Sequence, residues 1–574
     1  MKYFLAPKYF IFFVAAFFLL LPIFVFGPGG ADLLTASLMA KNFSQEFWHG
    51  NFYPRWLPEM YAGQGSPAFF YYPPLFFWVV SLIAPVFSEP SFFLWPLIGA
   101  AYFFLILSGV FCFHWLKSEG ASDSAAKTAA LIYMAFPTHL SQTLFAAALF
   151  GQFAAYAFFP LILWSAKSLA KQQKFSLLAF SLSMHLLLLC NVPNALIINS
   201  LACVWLLINS EKNQKISALK NIFNASFLAI LASAFFLLPA FAYQQYSGVA
   251  AHWESGGIPV YKSHLLRFDF SAEKIIANIS YASDLLILTL LCSWLLFWNK
   301  KIARKIFYFW CLASFLAIFM NLGVSEIIWR IFPLLKIIQI PSRLLCVVVL
   351  ACVWLWAQKT QENNQENPQQ KSAYALAIFI ILVSVAHGFI VAKIQKFDPL
   401  EAAQKLPLLQ LRYQNNIDNY THYLPGKNAA FAIFGDEKIL QQTLKRPKIE
   451  LLEGKLQIDV EKWRARDLLV RIRGDGAGKI IVRQFYFPGW IACLSAEMPE
   501  EKSPSKNIFA ECFAIEKDIS DLLLVNIPAA IEQERFLKLQ LSPLWPEVIG
   551  RLISVFCYLG CLTFLLIMRM KKNR

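Results

Sequence analysis

Residues 8–32 read KYFIFFVAAFFLLLPIFVFGPGGAD. From Tyr9 to Phe26 there is no charged side chain, and at about 1.5 Å of rise per helical residue such a run approaches the thickness of a bilayer core. Lys2 and Lys8 precede it much as basic residues precede a signal sequence. The run nevertheless leads into Gly27-Pro28-Gly29-Gly30 without a small-x-small cleavage site, so it reads as a retained first transmembrane helix. An acid, Asp32, stands just beyond it.

The rest of the chain repeats this pattern. Of its 574 residues 58% are hydrophobic and 15% charged, with 55 Phe, 17 Trp and a mean hydropathy of +0.52. Soluble domains carry roughly 45–50% apolar and about 25% charged residues, so a water-soluble fold is excluded. The net charge of +16 needs no nucleic acid, because loops on the inner face of a membrane protein are enriched in Lys and Arg.

Further apolar stretches lie near 69–87, 92–116, 124–140, 146–169, 175–191, 194–209, 219–241, 281–299, 302–322, 341–358, 373–394 and 547–568. The basic clusters are Lys117 with Lys127, Lys167 with Lys171 and Lys174, Lys212 with Lys215 and Lys220, Lys300 to Lys305, Lys359 with Lys371, and the tail from Arg569. All fall on one side, together with Lys2 and Lys8, if 69–87 is re-entrant or interfacial, as its paired tyrosines and prolines at 71–74 suggest. The expectation is a polytopic α-helical membrane protein of about 12–13 transmembrane helices, with both termini cytoplasmic. The connections 27–68, 242–280, 323–340 and 395–545 then lie outside.

The last of these has the composition of a folded domain. Alternating runs at 455–460, 468–473, 479–485 and 536–541, separated by turn residues, predict an extracytoplasmic β-sandwich over 395–545, after a transmembrane domain of 1–394. A C-terminal helix with a basic cytoplasmic tail occupies 546–574. Cys493 and Cys512 are the two cysteines of the outside domain and flank a polar segment; they are either a disulfide or two buried thiols. No zinc-type Cys/His spacing and no phosphate-binding glycine loop occurs, so a structural metal site, a nucleotide-driven pump and a dinucleotide fold are not expected.

The first outside loop carries the chemistry. Ala36, Met39, Ala40, Phe43 and Phe47 form a helical stripe, predicting an amphipathic helix over 32–49 that lies along the outer leaflet. Asp32 heads it, where an aspartate is favoured as an N-cap worth about 1 kcal/mol. The same placement pre-orients its carboxylate as a base or metal ligand, and both readings stand.

The order of first helix, Asp32, amphipathic helix, Gly50-Asn51-Phe52-Tyr53-Pro54-Arg55-Trp56 and Gly63-Gln64-Gly65-Ser66-Pro67 through Tyr72-Pro73-Pro74-Leu75 resembles a known family. Gly151-Gln152-Phe153, Phe332-Pro333 through Pro341-Ser342-Arg343, His422-Tyr423-Leu424-Pro425 and Phe485-Tyr486-Phe487-Pro488-Gly489-Trp490 extend the match over nearly the whole chain. It is the bacterial GT-C-type membrane family labelled "6-pyruvoyl-tetrahydropterin-synthase-related", a label that implies no pterin chemistry here.

The resemblance implies a GT-C glycosyltransferase architecture in the bacterial cytoplasmic membrane, with an aspartate of the first outside loop beside a polyprenyl-phosphate-linked sugar. By position that residue is Asp32. Arg343, at the outer end of a span, suits bidentate contact with the lipid phosphate, and Lys336 is placed to assist; interfacial snorkelling is the alternative for both. Arg55, Trp56, Glu46 and Glu254 are candidates for the acceptor cavity, with headgroup anchoring the alternative for Arg55 and Trp56.

The chain departs from family habit in two places: Asp32 is followed by Leu33 rather than a second acid, and Phe150-Gly151 stands where Arg-Gly is common. No cofactor is implied beyond a divalent cation compatible with the acid. The expected partners are the lipid-linked sugar, membrane lipid and a cell-envelope glycan or glycolipid acceptor. The rival reading is a non-catalytic scaffold or lipid-glycan binding protein on the same body.

Overall fold

The computed structural model describes residues 7–87, 93–246, 254–255, 258–265, 304–360, 368–395, 437–496, 498, 509–528 and 534–570. Every apolar stretch named above is helical there except 281–299, which lies outside the described residues. Among the described residues seven helices are long and apolar enough to cross a membrane, or eight if Lys212–Ala232 and Ala234–Ala242, bent by 74°, form one span.

Other stretches make shorter helices. Asp123–Ala135 and Ser176–Leu188 have 13 residues each, a rise of about 20 Å against a hydrocarbon core of about 30 Å. The first stops before Pro137 and continues as a π-helix, Thr138–Ala146, and the second ends at the turn that carries Asn191. The stretch 69–87 comes in three pieces, Ala68–Tyr71, Leu75–Ile83 and Ala84–Val86, with an extended break at Tyr72. Its longer part is an apolar helix shorter than those that reach spanning length.

The hub of the bundle is Phe150–Ala170, buried along most of its length against Leu94–Ser118, Ser176–Leu188 and Val192–Asn209. His139 of the π-helix stacks on its Tyr156, with ring centres 4.3 Å apart. By contrast the C-terminal helix Trp545–Met570 leaves most of its side chains facing outward.

The helix expected along the outer leaflet runs Leu33–Trp48 and is enclosed rather than lying on a surface. Its polar side chains are accommodated locally: Ser37 Oγ donates to Leu34 O at 2.9 Å, and Asn42 Nδ2 to Leu38 O at 2.8 Å.

A short hairpin pairs β1 (Glu254–Ser255) with β2 (Ile258–Pro259). The large strands are β3 (Ile449–Arg464), β4 (Asp467–Phe485), β5 (Trp490–Ser495), β6 (Phe509–Ala514), β7 (Glu516–Lys517), β8 (Leu522–Ile527) and β9 (Arg535–Leu541). Where two packed sheets were expected they make one antiparallel sheet of seven strands, ordered β6-β5-β9-β4-β8-β7, with β3 also paired to β4.

The long β4 explains the difference. It pairs with β9 through Asp467–Ile472 and with β8 through Gly478–Phe485, so one strand serves both halves. The runs 468–473 and 479–485 are parts of this single strand, because Gly474, Gly476 and Gly478 carry it through the place where a turn was expected. Leu468, Val470, Ile472, Ile480 and Val482 alternate onto its buried face.

Candidate active site

Asp32 is held by its backbone. The N–H groups of Ala31 and Asp32 donate to Ala146 O and Ala147 O at 3.0 Å each, so the loop after the first span pairs with the end of the π-helix. Gly30 makes this approach feasible: its φ is +116°, and a Cβ there would lie 2.8 Å from Ala148 N. Asp32 occupies the N-cap position of Leu33–Trp48, yet its carboxylate makes no capping bond to that helix.

Past Ala148 the chain enters Phe150–Ala170, whose first turn carries Gly151 and Gln152. Arg343, buried in the 3-10 turn Pro341–Leu344, reaches this turn. Its Nε donates to Gln152 Oε1 at 2.9 Å, and its Nη1 to Ile338 O at 2.6 Å and Gln339 Oε1 at 3.0 Å. Tyr72 completes the group: a Cβ on Gly151 would lie 3.6 Å from the Tyr72 hydroxyl.

Burial pushes the Tyr72 phenol above its usual range, the Asp32 carboxylate adds to that, and the Arg343 guanidinium opposes it. Both charges therefore act on the Tyr72 phenol. An acid, a phenol and a guanidinium lie around the start of a 21-residue helix, whose macrodipole is positive at that end. Such an arrangement can take a proton at one side and steady negative charge at the other.

An apolar groove of about 570 Å³ opens beside Arg343. Leu201, Leu316 and Met320 line it, as do Leu344, next to Arg343, and Ile338, whose carbonyl binds the guanidinium. Lys336 lies half-buried in the preceding 3-10 helix Pro333–Ile338.

The other sequence candidates sit elsewhere. Arg55 is only 2% exposed; its Nη1 donates to Glu547 at 2.8 Å and its Nη2 to Phe235 O at 2.5 Å, instead of lining a cavity. Trp56 is buried, its Nε1 donating to Gln484 Oε1 at 2.7 Å and its ring meeting Trp490 edge-on at 5.7 Å. Glu46 faces the β3–β4 turn, accepting from Ala465 N at 3.4 Å.

These residues join the bundle to the β-domain because loop 55–66 is wedged against the end of β4. Gln484 donates on to Pro58 O and Gly63 O, and Phe485 N donates to Gln64 O at 2.6 Å. Gly65 is needed for this fit, since a Cβ would lie 2.6 Å from both Gln484 and Trp56. Glu254 begins β1, and its side chain lies outside the described residues.

Cys493 and Cys512 stand opposite one another across β5 and β6 and form a disulfide. Among the described residues no group of three or more His, Cys, Asp or Glu side chains could hold a metal ion. Sequence reading missed Tyr72 and Gln152 as site residues. Both stood inside quoted motifs, but only the π-helix and the 3-10 turn bring them to Asp32 and Arg343.

No protein-family model and no curated protein matches this chain, so the family resemblance rests on the motifs themselves. Among solved structures it is similar to the archaeal oligosaccharyltransferase AglB from Archaeoglobus fulgidus in complex with an inhibitory peptide and a dolichol-phosphate, with a TM-score of 0.39, 13% identity and coverage of 74% of this chain and 62% of that one. The apo form of the Archaeoglobus fulgidus oligosaccharyltransferase gives a TM-score of 0.40, 14% identity and coverage of 75% and 62%. The form tethered to an acceptor peptide gives 0.38, 14%, 75% and 61%. The chain thus spans about six-tenths of the length of the solved structures it resembles.

Proposed function

We propose that this protein is a membrane-embedded inverting glycosyltransferase of the GT-C type, moving a sugar from a polyprenyl-phosphate carrier to an extracytoplasmic cell-envelope acceptor. The observation that carries the reading is the gathering of Asp32, Tyr72 and Arg343 around the start of Phe150–Ala170, with an apolar groove beside Arg343. The groove suits an isoprenoid tail, and Arg343 next to it suits the phosphate that ends the tail.

In the reaction the acceptor hydroxyl oxygen forms a bond to the anomeric carbon as its proton passes to the Asp32 carboxylate. The bond from that carbon to the phosphate oxygen breaks, and its electron pair leaves on the phosphate, where Arg343 neutralises the added charge. A single displacement inverts the sugar carbon. Tyr72, under the influence of both charged groups, orients the acceptor hydroxyl.

The site then lies on the outer face of a bacterial cytoplasmic membrane, with both termini inside. The disulfide supports an oxidising location for the β-domain, since such bonds persist in extracytoplasmic compartments. The β-domain positions the acceptor above the site.

The test is transfer or sugar release by the protein reconstituted in lipid, over a panel of polyprenyl-phosphate sugars, with Asp32→Asn as the comparison. Turnover with one donor, lowered about 10²- to 10⁴-fold in Asp32→Asn, is expected of a lost general base. Saturable lipid binding without turnover on any donor would replace the transferase with the scaffold.

A further inference from the structure

A second polar centre lies where the β-domain, the first outside loop and the C-terminal helix meet. Three guanidiniums surround the buried Glu547 carboxylate: Arg55 at 2.8 Å, Arg466 from the β3–β4 turn at 2.7 Å, and Arg551 one helical turn on at 3.5 Å. Among the described residues one carboxylate stands against three arginines, an excess of two positive charges. Low-dielectric surroundings make uncompensated charge expensive, so the centre is incomplete without an anion.

Two buried polar groups there have no hydrogen-bond partner among the described residues. Arg55 Nε makes no hydrogen bond, although the residue is only 2% exposed, and neither does the hydroxyl of Tyr243, also 2% exposed. Tyr243 packs on Phe70 with ring centres 5.3 Å apart, and Arg466 lies over the same Phe70 ring at 5.2 Å. An anion bound to this centre would meet donors from three separate parts of the chain.

The direction of access identifies its source. Arg551 is 51% exposed on a helix whose neighbouring Val548, Ile549 and Leu552 are also exposed and apolar. Trp545 starts that helix with 65% of its surface exposed, the position of an interfacial anchor. Arg551 lies six residues further, about 9 Å along the axis, at the depth where acyl chains meet headgroups.

We propose that this centre binds the phosphate headgroup of an anionic membrane lipid, which clamps the β-domain to the bundle. The lipid phosphate supplies the missing negative charge between Arg551 and Arg466, while its acyl chains lie against the outward face of Trp545–Met570. The proposal is independent of the transferase reading, because the clamp uses none of Asp32, Tyr72 and Arg343.

The test uses the full chain in zwitterionic phosphatidylcholine nanodiscs, with phosphatidylglycerol added in increasing mole fraction. Thermal unfolding and native mass spectrometry are the readouts. Phosphatidylglycerol is expected to raise the Tm by several degrees and to remain bound through detergent removal, and Arg551→Gln to weaken it about tenfold, the loss of one charge-assisted bond. In pure phosphatidylcholine Arg551→Gln keeps the wild-type fold and Tm, because Glu547 retains Arg55 and Arg466.

An undiminished response in both Arg551→Gln and Arg466→Gln overturns the proposal. So does an equal Tm rise with millimolar inorganic phosphate, which would make the occupant a free anion. If Arg466→Gln fails to fold, Arg551→Gln alone decides.

Discussion

Asp32 and Arg343 are both charges set at the margin of apolar sequence, where an ionisable group is expensive and therefore conspicuous. What each does depends on geometry that the charge does not announce. Arg343 already directs three donor contacts into Gln152, Ile338 and Gln339, which fix the plane of its guanidinium. Lysine keeps the charge and loses the planar fork. Arg343→Lys is therefore expected to fold normally and to raise the KM for a polyprenyl-phosphate donor about tenfold, with kcat changed less; steady-state kinetics over donor concentration checks it. An unchanged KM would remove Arg343 from the phosphate site. Tyr72 and Gln152 were not legible in the same way, because neither is charged and each reads as an ordinary interfacial or helical residue. Arg55 and Trp56 mark the opposite case: the sequence singles them out, and the structure puts both into the seam between domains.

At the scale of elements, a π-helix and the broken segment Ala68–Val86 decide where the candidate site forms. Neither has a sequence signature as strong as an apolar span: π-turns differ from α-turns by one residue, and a re-entrant piece shows itself only through broken length and prolines. The groove beside Arg343 is legible still less, since it is assembled from the three separate stretches 196–204, 309–320 and 334–347. Ser200 lines it and is exposed, so Ser200→Trp places an indole in the groove without disturbing the core. Transfer from a full-length polyprenyl donor is expected to fall by about tenfold or more while a short-chain donor is used as before, in paired kinetic assays. Equal loss with both donors would separate the groove from the tail.

The helix Leu33–Trp48 carries a pH dependence of its own. Burial pushes the Glu46 carboxyl up, against a lowering from Ala465 N–H and Arg464. Between the ordinary glutamate range and the raised folded value the folded state holds the extra proton, so stability falls as pH rises through that window. Docking of the β3–β4 turn is expected to loosen over this interval, and Glu46→Gln to flatten the dependence. Hydrogen exchange at residues 464–467 as a function of pH measures it; an identical pH profile in Glu46→Gln would assign the dependence to another group.

For the molecule as a whole, membrane class and the existence of a β-domain follow from composition and period, which no tertiary detail overrides. The relation between the two parts does not, because it is set by buried contacts between residues hundreds of positions apart. The most specific motifs of the chain are those contacts: Gly63-Gln64-Gly65 and the strand end at Phe485 to Trp490 close on each other around Trp56. Gln484 is fully buried there and uses its carbonyl on Trp56 and its amide on Pro58 and Gly63. Replacing Trp56 by Phe keeps an aromatic ring against Trp490 but leaves Gln484 Oε1 buried without its donor, at a cost of about 1–3 kcal/mol. The β-sheet, held by its own ladders and by the Cys493–Cys512 bond, stays folded, so the loss falls on docking. Trp56→Phe is expected to speed exchange of the backbone amides at 64–66 and 485–490 about five- to a hundredfold while β3, β5 and β9 stay protected. Uniform loss of protection throughout the domain would mean instead that the seam is part of what folds it.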